Sequence, residues 1–319
     1  MSDIQTTIQN IGVIPVIKID ASEDALPLGK ALLAGGLPVA EVTFRTAAGE
    51  KAIQILRKEL PEILVGAGTI TSVADAKRAI DAGATFIVSP GYSAEVVEYC
   101  QKQAIPIYPG VNNASQIQLA LQQGLSVVKF FPAEASGGVT MLNALSAPFP
   151  TMRFIPTGGI GVHNMATYLR KPYTLACGGS WMVKSELITQ KRWEEITQLS
   201  REAVIAVHGF TFAHVGVSAE NNTEATKLAH LFGAFLQPVS EGKTAFFTSD
   251  FLEVTKQPSL GTHGHIGIQT WDIERALPYL EQHGFSVNTA SARYDAQGKL
   301  TLIYFQEEVG GFALHLVRK

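Results

Sequence analysis

Lys129 stands inside a short apolar run, and that setting is the strongest sign of chemistry in the sequence. The run 126–134 is rich in β-branched and aromatic residues and reaches Pro132, a pattern that predicts a buried strand of a parallel sheet. Lysine is rarely buried, and a low dielectric favours the neutral amine. A neutral amine attacks carbonyl carbons to form Schiff bases. The alternative is a lysine at a strand end that extends into solvent.

A second group of polar residues lies in the motif Glu-Val-Thr-Phe-Arg-Thr, which starts at Glu41. Along a strand, alternation places Glu41, Thr43 and Arg45 on one face, and Val42 and Phe44 on the other. Polar side chains in a barrel interior are costly unless they have partners or a ligand, so the motif favours a functional site. The alternative is a Glu41–Arg45 ion pair that serves only packing.

Both motifs belong to a long alternation of apolar strands and amphipathic helices between residues 12 and 207. This order predicts parallel strands joined by crossover helices. Eight such units predict an α/β fold of the compact (β/α)8 barrel type. An open doubly wound sheet is the alternative, but no Gly-x-Gly-x-x-Gly follows the first strand. The predicted strands are 12–19, 38–44, 63–69, 85–90, 106–111, 126–132, 153–159 and 174–179, and the predicted helices are 24–34, 47–60, 73–81, 94–103, 115–123, 163–170 and 192–207.

The carboxyl ends of the strands are where such a barrel carries its site. Gly158 and Gly159 follow the seventh strand, and Gly179 and Ser180 close the eighth. Exposed backbone amides at these two positions are suited to hold a phosphate, whereas each turn alone is also consistent with a simple tight turn. Thr69, after the third strand, adds a hydroxyl group beside two glycines that allow close approach.

Six motifs, in this order, resemble those of the 2-keto-3-deoxy-6-phosphogluconate (KDPG) aldolases and the related 4-hydroxy-2-oxoglutarate (KHG) aldolases. The resemblance covers about residues 4–207 and implies a class I, Schiff-base aldolase that occupies residues 1–208. The motifs are Glu-Val-Thr-Phe-Arg-Thr, Gly-Ala-Gly-Thr, Ser-Pro-Gly, Lys-Phe-Phe-Pro-Ala-Glu, Pro-Thr-Gly-Gly-Ile and Gly-Gly-Ser-Trp.

This resemblance implies a role for each matching residue. Lys129 would form the Schiff base, Glu41 would act as acid and base, and Arg45 with Thr69 would hold the carboxylate of pyruvate. Pro90 and Phe131 would form walls of the pocket, and Thr157 is a further implied substrate-binding residue. The phosphate would be held by Gly158, Gly159, Gly179 and Ser180. Lys18 ends the first strand, where it would either help to hold an anionic substrate or extend into solvent.

The implied reaction splits a phosphorylated keto acid into pyruvate and glyceraldehyde 3-phosphate. An iminium at Lys129 accepts the electrons released by carbon–carbon cleavage, so this step needs no metal or other cofactor. A KHG or phosphogalactonate aldolase is the alternative. A different kind of protein, a sugar-phosphate-binding scaffold on a degenerate aldolase fold, is disfavoured because Lys129, Glu41 and Arg45 are all present.

Residues 209–319 show a different organisation, in which one pattern occurs twice. Each copy runs strand, helix, then several strands, and 212–217 corresponds to 264–268. The repeat predicts two paired βαβββ modules in one curved eight-stranded sheet. This resembles the vicinal-oxygen-chelate superfamily, which includes glyoxalase I and the extradiol dioxygenases.

In that superfamily the first and last strand of each module carry metal ligands, which implies a divalent metal site here. The matching positions are His214, Glu253, His265 and His315. Histidine in place of the usual final glutamate leaves the identity of the metal open. The alternative is that these are packed core histidines and the module serves assembly. We expect the remaining C-terminal histidines to lie on the surface or in loops; they are His208, His230, His263 and His283.

Composition limits what the whole chain does. A formal charge of −3 over 319 residues offers no electrostatic basis for binding nucleic acid or an anionic membrane surface. No apolar run is long enough to span a membrane, and the first residues lack the features of a secretory signal. The two cysteines suggest free thiols in a cytoplasmic protein. The aldolase resemblance further implies a homotrimer.

Overall fold

A computed structural model describes residues 4–319 and separates the chain into two compact units. The first unit ends at Val207 and the second spans His208–Lys319. Across the described residues, no helix is both long and apolar enough to cross a lipid bilayer. Cys100 and Cys177 are buried and no disulfide joins them, as predicted, and burial raises the pKa of Cys100 to about 11.

The first unit is an α/β domain in which short strands alternate with helices, as the sequence predicted. Its strands are β1 (Val13–Ile17), β2 (Val39–Thr43), β3 (Leu64–Gly68), β4 (Phe86–Val88), β5 (Ile107–Tyr108), β6 (Gly110–Val111), β7 (Val127–Phe130), β8 (Arg153–Pro156) and β9 (Cys177–Gly179). Its helices are α1 (Ile4–Ile11), α2 (Ala25–Ala34), α3 (Gly49–Glu59), α4 (Val73–Asp81), α5 (Ala94–Lys102), α6 (Ala114–Gln122), α7 (Gly138–Ser146), α8 (Val162–Leu169), α9 (Ser185–Thr189) and α10 (Trp193–His208).

All named strand pairs of this unit are parallel and fall into two sheets. One sheet has the order β5-β4-β3-β2-β1-β9 and the other has the order β6-β7-β8. The sequence predicted one strand over 106–111, but Pro109 separates β5 from β6 because proline has no amide hydrogen to donate to the ladder. Single bridges, Phe154–Thr174 and Thr157–Gly178, connect the β8 segment to the β9 segment.

Three helices, α1, α7 and α9, were not predicted. α1 presents Ile4, Ile8 and Ile11 at helical spacing, and Ile8 is fully buried in the core. α7 follows a Gly137-Gly138 pair in which both residues have positive φ, and such a pair is typical of a loop. α9 has only five residues, too few for a visible helical period.

The core of the first unit draws on most of its strands. Ile14, Val39, Phe86, Val127 and Ile155, from five strands, pack together in one buried cluster. The ring of Phe86 fits because Gly66 has no side chain, since a Cβ there would lie 2.2 Å from the ring.

The second unit is built on one eight-stranded sheet and two helices. The order along the chain is strand, helix and three strands, twice over. The elements are β10 (Thr211–Ser218), α11 (Asn222–Gly233), β11 (Val239–Glu241), β12 (Ala245–Thr248), β13 (Leu252–Thr255), β14 (His265–Thr270), α12 (Ile273–Gln282), β15 (Val287–Tyr294), β16 (Leu300–Val309) and β17 (Phe312–Arg318). The strand order is β11-β12-β13-β10-β14-β17-β16-β15.

The two faces of this sheet differ in chemistry. One face packs under the helices: Ala225 and Ala229 of α11 meet Phe246 and Val254 in one buried cluster. α12 forms a second such cluster with residues that include Ile303 and Leu316. Side chains alternate along a strand, so the residues between these positions point to the other face.

Candidate active site

Lys129 and Glu41 meet in the interior of the first unit. Lys129 lies on β7 and Glu41 on β2, and Nζ is 3.2 Å from Oε1. Both side chains are almost fully buried, with 6% and 3% exposed. A Cβ at Gly68 of β3 would lie 2.3 Å from Glu41 Oε1, so this glycine leaves the space that the carboxylate occupies. A buried amine and a carboxylate in contact can exchange a proton and attack a carbonyl group.

Arg45 does not form the internal ion pair with Glu41 that packing alone would require. Its Nε donates to Thr69 Oγ1 at 3.1 Å, whereas the carboxylate of Glu41 is paired with Lys129. Thr69 has a φ of +61°, an uncommon conformation for a β-branched residue. Thr43, on the same strand face as Glu41, donates to Ile17 O at 2.7 Å and is structural.

A cavity of about 480 Å³ adjoins this pair of residues. Phe131 connects the two, because its ring lines the cavity and its centroid is 5.3 Å from Lys129 Nζ. The cavity wall includes most of the predicted substrate-binding residues. They are Lys18, Arg45, Phe131, Thr157, Gly158, Gly159, Gly179 and Ser180.

The backbone geometry and close contacts of the cavity-lining glycines explain why larger residues do not stand there. Gly158 and Gly159 have φ values of +99° and +77°, a region that favours glycine. A Cβ at Gly179 would lie 1.9 Å from the ring of Trp181. The two turns therefore present backbone to the cavity instead of side chains, as an anion site requires.

Two predicted substrate-binding residues, Lys18 and Pro90, have a weaker connection to the site. Lys18 lines the cavity but is exposed, and its Nζ pairs with Asp20 Oδ1 at 2.9 Å. Pro90 lies one strand away from the lysine: its carbonyl oxygen is 2.2 Å from where a Cβ of Gly110 would stand, and Gly110 pairs in register with Lys129.

The sequence did not single out three further residues near this cavity. Lys184 lies in the cavity wall and adds a cation close to Ser180. The hydroxyl of Tyr168 donates to Glu134, just after β7, and burial followed by this hydrogen bond raises the pKa of Tyr168. Glu134 is the last residue of the Lys-Phe-Phe-Pro-Ala-Glu motif. It packs closely on Gly159, where an added Cβ would lie 2.7 Å from the Cβ of Glu134. The motif was therefore the available signal for Glu134.

In the second unit, the structure brings together the four predicted metal ligands. Ring nitrogens of His214, His265 and His315 all lie within 4.8 Å of one another. Glu253 Oε2 is 3.1 Å from His265 Nε2 and 3.5 Å from His214 Nε2. The strand register explains the convergence, because Gly267 of β14 pairs with both His214 and His315.

The rings fit because glycine stands opposite them. A Cβ at Gly267 would lie 2.5 Å from His315 Nε2, and a Cβ at Gly216 would lie 2.0 Å from the ring of His265. Among the described residues, neither ring nitrogen of His315 has a hydrogen-bond partner, although the side chain is buried. Buried polar atoms normally have partners, so these two nitrogens are an exception that calls for an explanation.

The protonation of the cluster suits a metal ion. Burial is the main cause that lowers the pKa of His315 to about 3, and burial also lowers the pKa of His214. Burial raises the pKa of Glu253, but the hydrogen bond with His265 and nearby positive charge outweigh it, so the pKa is lowered overall. Neutral imidazoles and an ionised carboxylate are the forms that bind a divalent cation.

One prediction for the second unit was wrong. His208, expected at the surface or in a loop, is 2% exposed and stacks on Phe210 with ring centroids 5.1 Å apart. Burial, then the charge of Arg275, lowers the pKa of His208 to about 4. The other three C-terminal histidines outside the cluster are exposed, as predicted; they are His230, His263 and His283.

Comparison with known proteins identifies the family of the first unit. A sequence model described as Aldolase: KDPG and KHG aldolase matches residues 4–199. The 2-dehydro-3-deoxy-phosphogluconate aldolase of Treponema pallidum is 45% identical over 204 residues, which are 64% of this chain and 97% of that protein. The KHG/KDPG aldolase of Escherichia coli K12 is 43% identical over 192 residues, 60% of this chain and 90% of that one.

A solved structure agrees with these sequences. KDPG aldolase from Legionella pneumophila, with pyruvate captured at low pH as a covalent carbinolamine intermediate, is 42% identical and aligns with a TM-score of 0.61. The alignment covers 64% of this chain and 99% of that chain. The resemblance inferred from the six motifs is confirmed, and with it the expectation that the protein is an aldolase, a carbon–carbon lyase. The chain belongs to the KDPG and KHG aldolase family.

Proposed function

We propose that the first unit cleaves 2-keto-3-deoxy-6-phosphogluconate into pyruvate and glyceraldehyde 3-phosphate through a Schiff base on Lys129. The observation that carries this proposal is the buried contact between Lys129 Nζ and Glu41 Oε1. The relative from Legionella pneumophila supports it, because that enzyme was captured with pyruvate in a covalent carbinolamine.

The reaction follows from the two side chains. Lys129 attacks the C2 ketone, and loss of water gives an iminium ion. Glu41 then takes the proton of the C4 hydroxyl as the C3–C4 bond breaks, and the electron pair of that bond moves into the iminium to form an enamine. Glyceraldehyde 3-phosphate leaves, the enamine carbon regains a proton, and hydrolysis releases pyruvate and the free amine.

The cavity provides a place for each charged end of this substrate. Arg45 lines the cavity and donates to Thr69, and these two residues would hold the carboxylate of the keto acid. Gly158, Gly159 and the Gly179-Ser180 turn would bind the phosphate through backbone amides and the serine hydroxyl. Thr157, Phe131 and Pro90 would complete the wall, and Lys18 would add positive charge at the rim.

Borohydride trapping tests the covalent step. We expect reduction in the presence of pyruvate to leave a stable adduct that peptide mass spectrometry maps to Lys129, and Lys129→Ala to remove both adduct and cleavage. Lys18→Ala is the matched control, since this second lysine is also close to the cavity but is exposed. An adduct on another lysine would refute the assignment.

Phosphate recognition decides which family substrate this chain prefers. Binding energy from a remote group positions the reacting carbons, so the substrate without its phosphate should lose much of its kcat/KM. Ser180→Ala tests the same contact without disturbing Trp181, unlike any side chain introduced at Gly179. Equal kcat/KM for 4-hydroxy-2-oxoglutarate, or higher kcat/KM for the phosphogalactonate isomer, would favour the alternative substrates.

We also infer that the strands of this unit close into a (β/α)8 barrel and that the chain forms homotrimers. β5 and β6 are separated only by Pro109, and the Thr157–Gly178 bridge links the ends of β8 and β9. These two connections support a continuous ring of eight strand positions. The trimer is inferred from the family alone, and light scattering on the purified protein tests it.

For the second unit, we propose a paired-module domain that holds one divalent metal ion on His214, Glu253, His265 and His315. The orphaned nitrogens of His315 carry this proposal, because a buried imidazole without a partner is costly. Three histidines and one carboxylate suit zinc, nickel, iron or manganese and leave a position open.

Metal analysis of protein purified without an affinity tag tests the second proposal. We expect about one equivalent of a divalent metal, its loss in His315→Ala, and its retention in His230→Ala, whose histidine is exposed on α11. Wild-type protein that takes up no metal after incubation with zinc, manganese or cobalt would leave the domain as an assembly module.

A further inference from the structure

The sheet face that carries the four metal ligands of the second unit also carries Arg293. Tyr304 pairs with His315 across β16 and β17, and Leu302, two residues earlier on β16, pairs with Arg293 of β15. Residues two apart on a strand share a face, so Arg293 is on the same side of the sheet as His315. Arg293 is exposed, so its guanidinium is accessible to a ligand that approaches this face.

The charges on this face favour an anionic ligand. A divalent ion brings two positive charges, the carboxylate of Glu253 removes one, and the neutral histidines remove none. The guanidinium of Arg293 adds a further charge, so a bound divalent ion and Arg293 together would give this face a net positive charge. A neutral ligand would gain little from this arrangement.

Two aromatic side chains complete the surroundings. Phe247 of β12 pairs directly with Glu253 and is 40% exposed, so its ring remains available to a ligand. The ring of Tyr304 packs against His315 with centroids 4.5 Å apart. The phenolic hydroxyl of Tyr304 can donate a hydrogen bond to a ligand on this face.

We propose that the second unit binds a small oxyanion, one oxygen of which coordinates the metal ion while another pairs with Arg293. Carboxylates and phosphates share this chemistry, since a guanidinium fork pairs with two oxygens of either group. The inference rests on the metal centre proposed above and identifies the class of ligand for it. Tyr304 donates to the same ligand, and Phe247 covers its apolar part.

Cobalt spectroscopy on the full chain tests the proposal. The visible bands of protein-bound Co²⁺ report its coordination, and a Lys129→Ala background prevents pyruvate from reacting at the first unit. We expect pyruvate, inorganic phosphate or both to change the bands with saturation, and neutral pyruvamide to leave them unchanged. Comparing the two anions shows which oxyanion the site prefers.

Variants of Arg293 separate this proposal from the metal centre itself. Arg293→Ala should weaken anion binding by about 10- to 100-fold, the loss expected for a charged hydrogen bond, and leave Co²⁺ affinity unchanged. Arg293→Lys should retain part of the affinity. Lys227→Ala, which removes an exposed cation on α11, should change neither quantity.

The outcomes distinguish the two levels of inference. Cobalt that binds without any response to anions, or a loss in Arg293→Ala no larger than in Lys227→Ala, would overturn the oxyanion site and leave the metal centre standing. A wild-type chain that takes up no cobalt would overturn both. An equal response to pyruvamide would show that charge does not select the ligand.

Discussion

The two candidate sites contain buried ionisable groups in opposite states. In the first unit, Lys129 and Glu41 are satisfied by each other, with Nζ and Oε1 3.2 Å apart. In the second unit, His214 and His315 converge without satisfying one another, and three of their ring nitrogens lack hydrogen-bond partners within the described chain. The first site holds its own reactive pair, whereas the second leaves buried nitrogens unpaired, and the proposed metal ion would satisfy them.

This difference teaches how a buried polar cluster indicates its chemistry. A paired amine and carboxylate can move a proton between substrate and protein without help. Each neutral imidazole offers one lone pair, and a metal cation can accept lone pairs from several such nitrogens at once, which is why these unpaired nitrogens support the proposed metal ion. The same contrast predicts that the two sites respond to different perturbations.

The largest expected effect is that a variant in one site abolishes the function of that site and leaves the function of the other site intact. Lys129→Ala should lower kcat on the order of 10⁶-fold, as removal of a nucleophile does, and leave metal content unchanged. His315→Ala should do the reverse, because its ring lies in the second unit. Steady-state cleavage and metal analysis on both variants measure this. A large fall in cleavage in His315→Ala would show that the two sites are coupled and would contradict their independence.

Glu41→Gln should cost less, about 10²- to 10⁴-fold in kcat, because glutamine still accepts a hydrogen bond from Lys129 but cannot take a proton. Glu253→Gln is the matched change in the other site and should weaken metal binding while cleavage persists. The pH profile of kcat gives a second readout. An unchanged kcat in Glu41→Gln would remove Glu41 from the proton transfer.

Acid should destabilise the second unit through His208. Its pKa is about 4 when folded and 6.5 otherwise, so the unfolded chain binds a proton that the folded chain excludes between those values. The stabilisation from the neutral ring is complete above pH 6.5 and is lost as pH falls towards 4, a change of about 3 kcal/mol at most.

Hydrogen exchange in β14 and β17 at pH 7 and pH 5, corrected for the intrinsic rate, measures this loss. In His208→Phe, which keeps a ring beside Phe210 and Tyr279, protection should depend less on pH. His230→Phe, at an exposed position, should behave as wild type. Equal pH dependence in all three proteins would contradict the assignment.

The smallest expected effect concerns support of the first site. Tyr168→Phe removes the hydroxyl that donates to Glu134 beside Gly159, and should lower the free energy of unfolding by about 1 kcal/mol. Loosening this turn should raise KM for the phosphorylated substrate more than it lowers kcat. Urea unfolding and steady-state kinetics measure the two effects, with Tyr173→Phe as a control. A fall in kcat alone would place Tyr168 in the chemical step.

Much of the first unit could be predicted because its signals are local. The strand–helix alternation lies within windows of about ten residues, where periodicity and turn chemistry determine structure. The strand around Lys129, the polar face of β2 and the Gly-Gly turns all follow from such windows. Helix α7 was missed because Gly137, which precedes it, and Gly138, its first residue, are typical of a loop.

The sequence by itself determined which residues carry chemistry, and the tertiary structure decided which of them meet. Glu41 pairs with Lys129, 88 positions away, and not with Arg45 on its own strand. The burial of His208 depends on Phe210 and Tyr279, whose approach no local pattern encodes. Convergence of His214 and His315 depends on the pairing of β10, β14 and β17 over Gly267. Such contacts arise only when packing brings distant segments together, so periodicity and turn signals do not predict them.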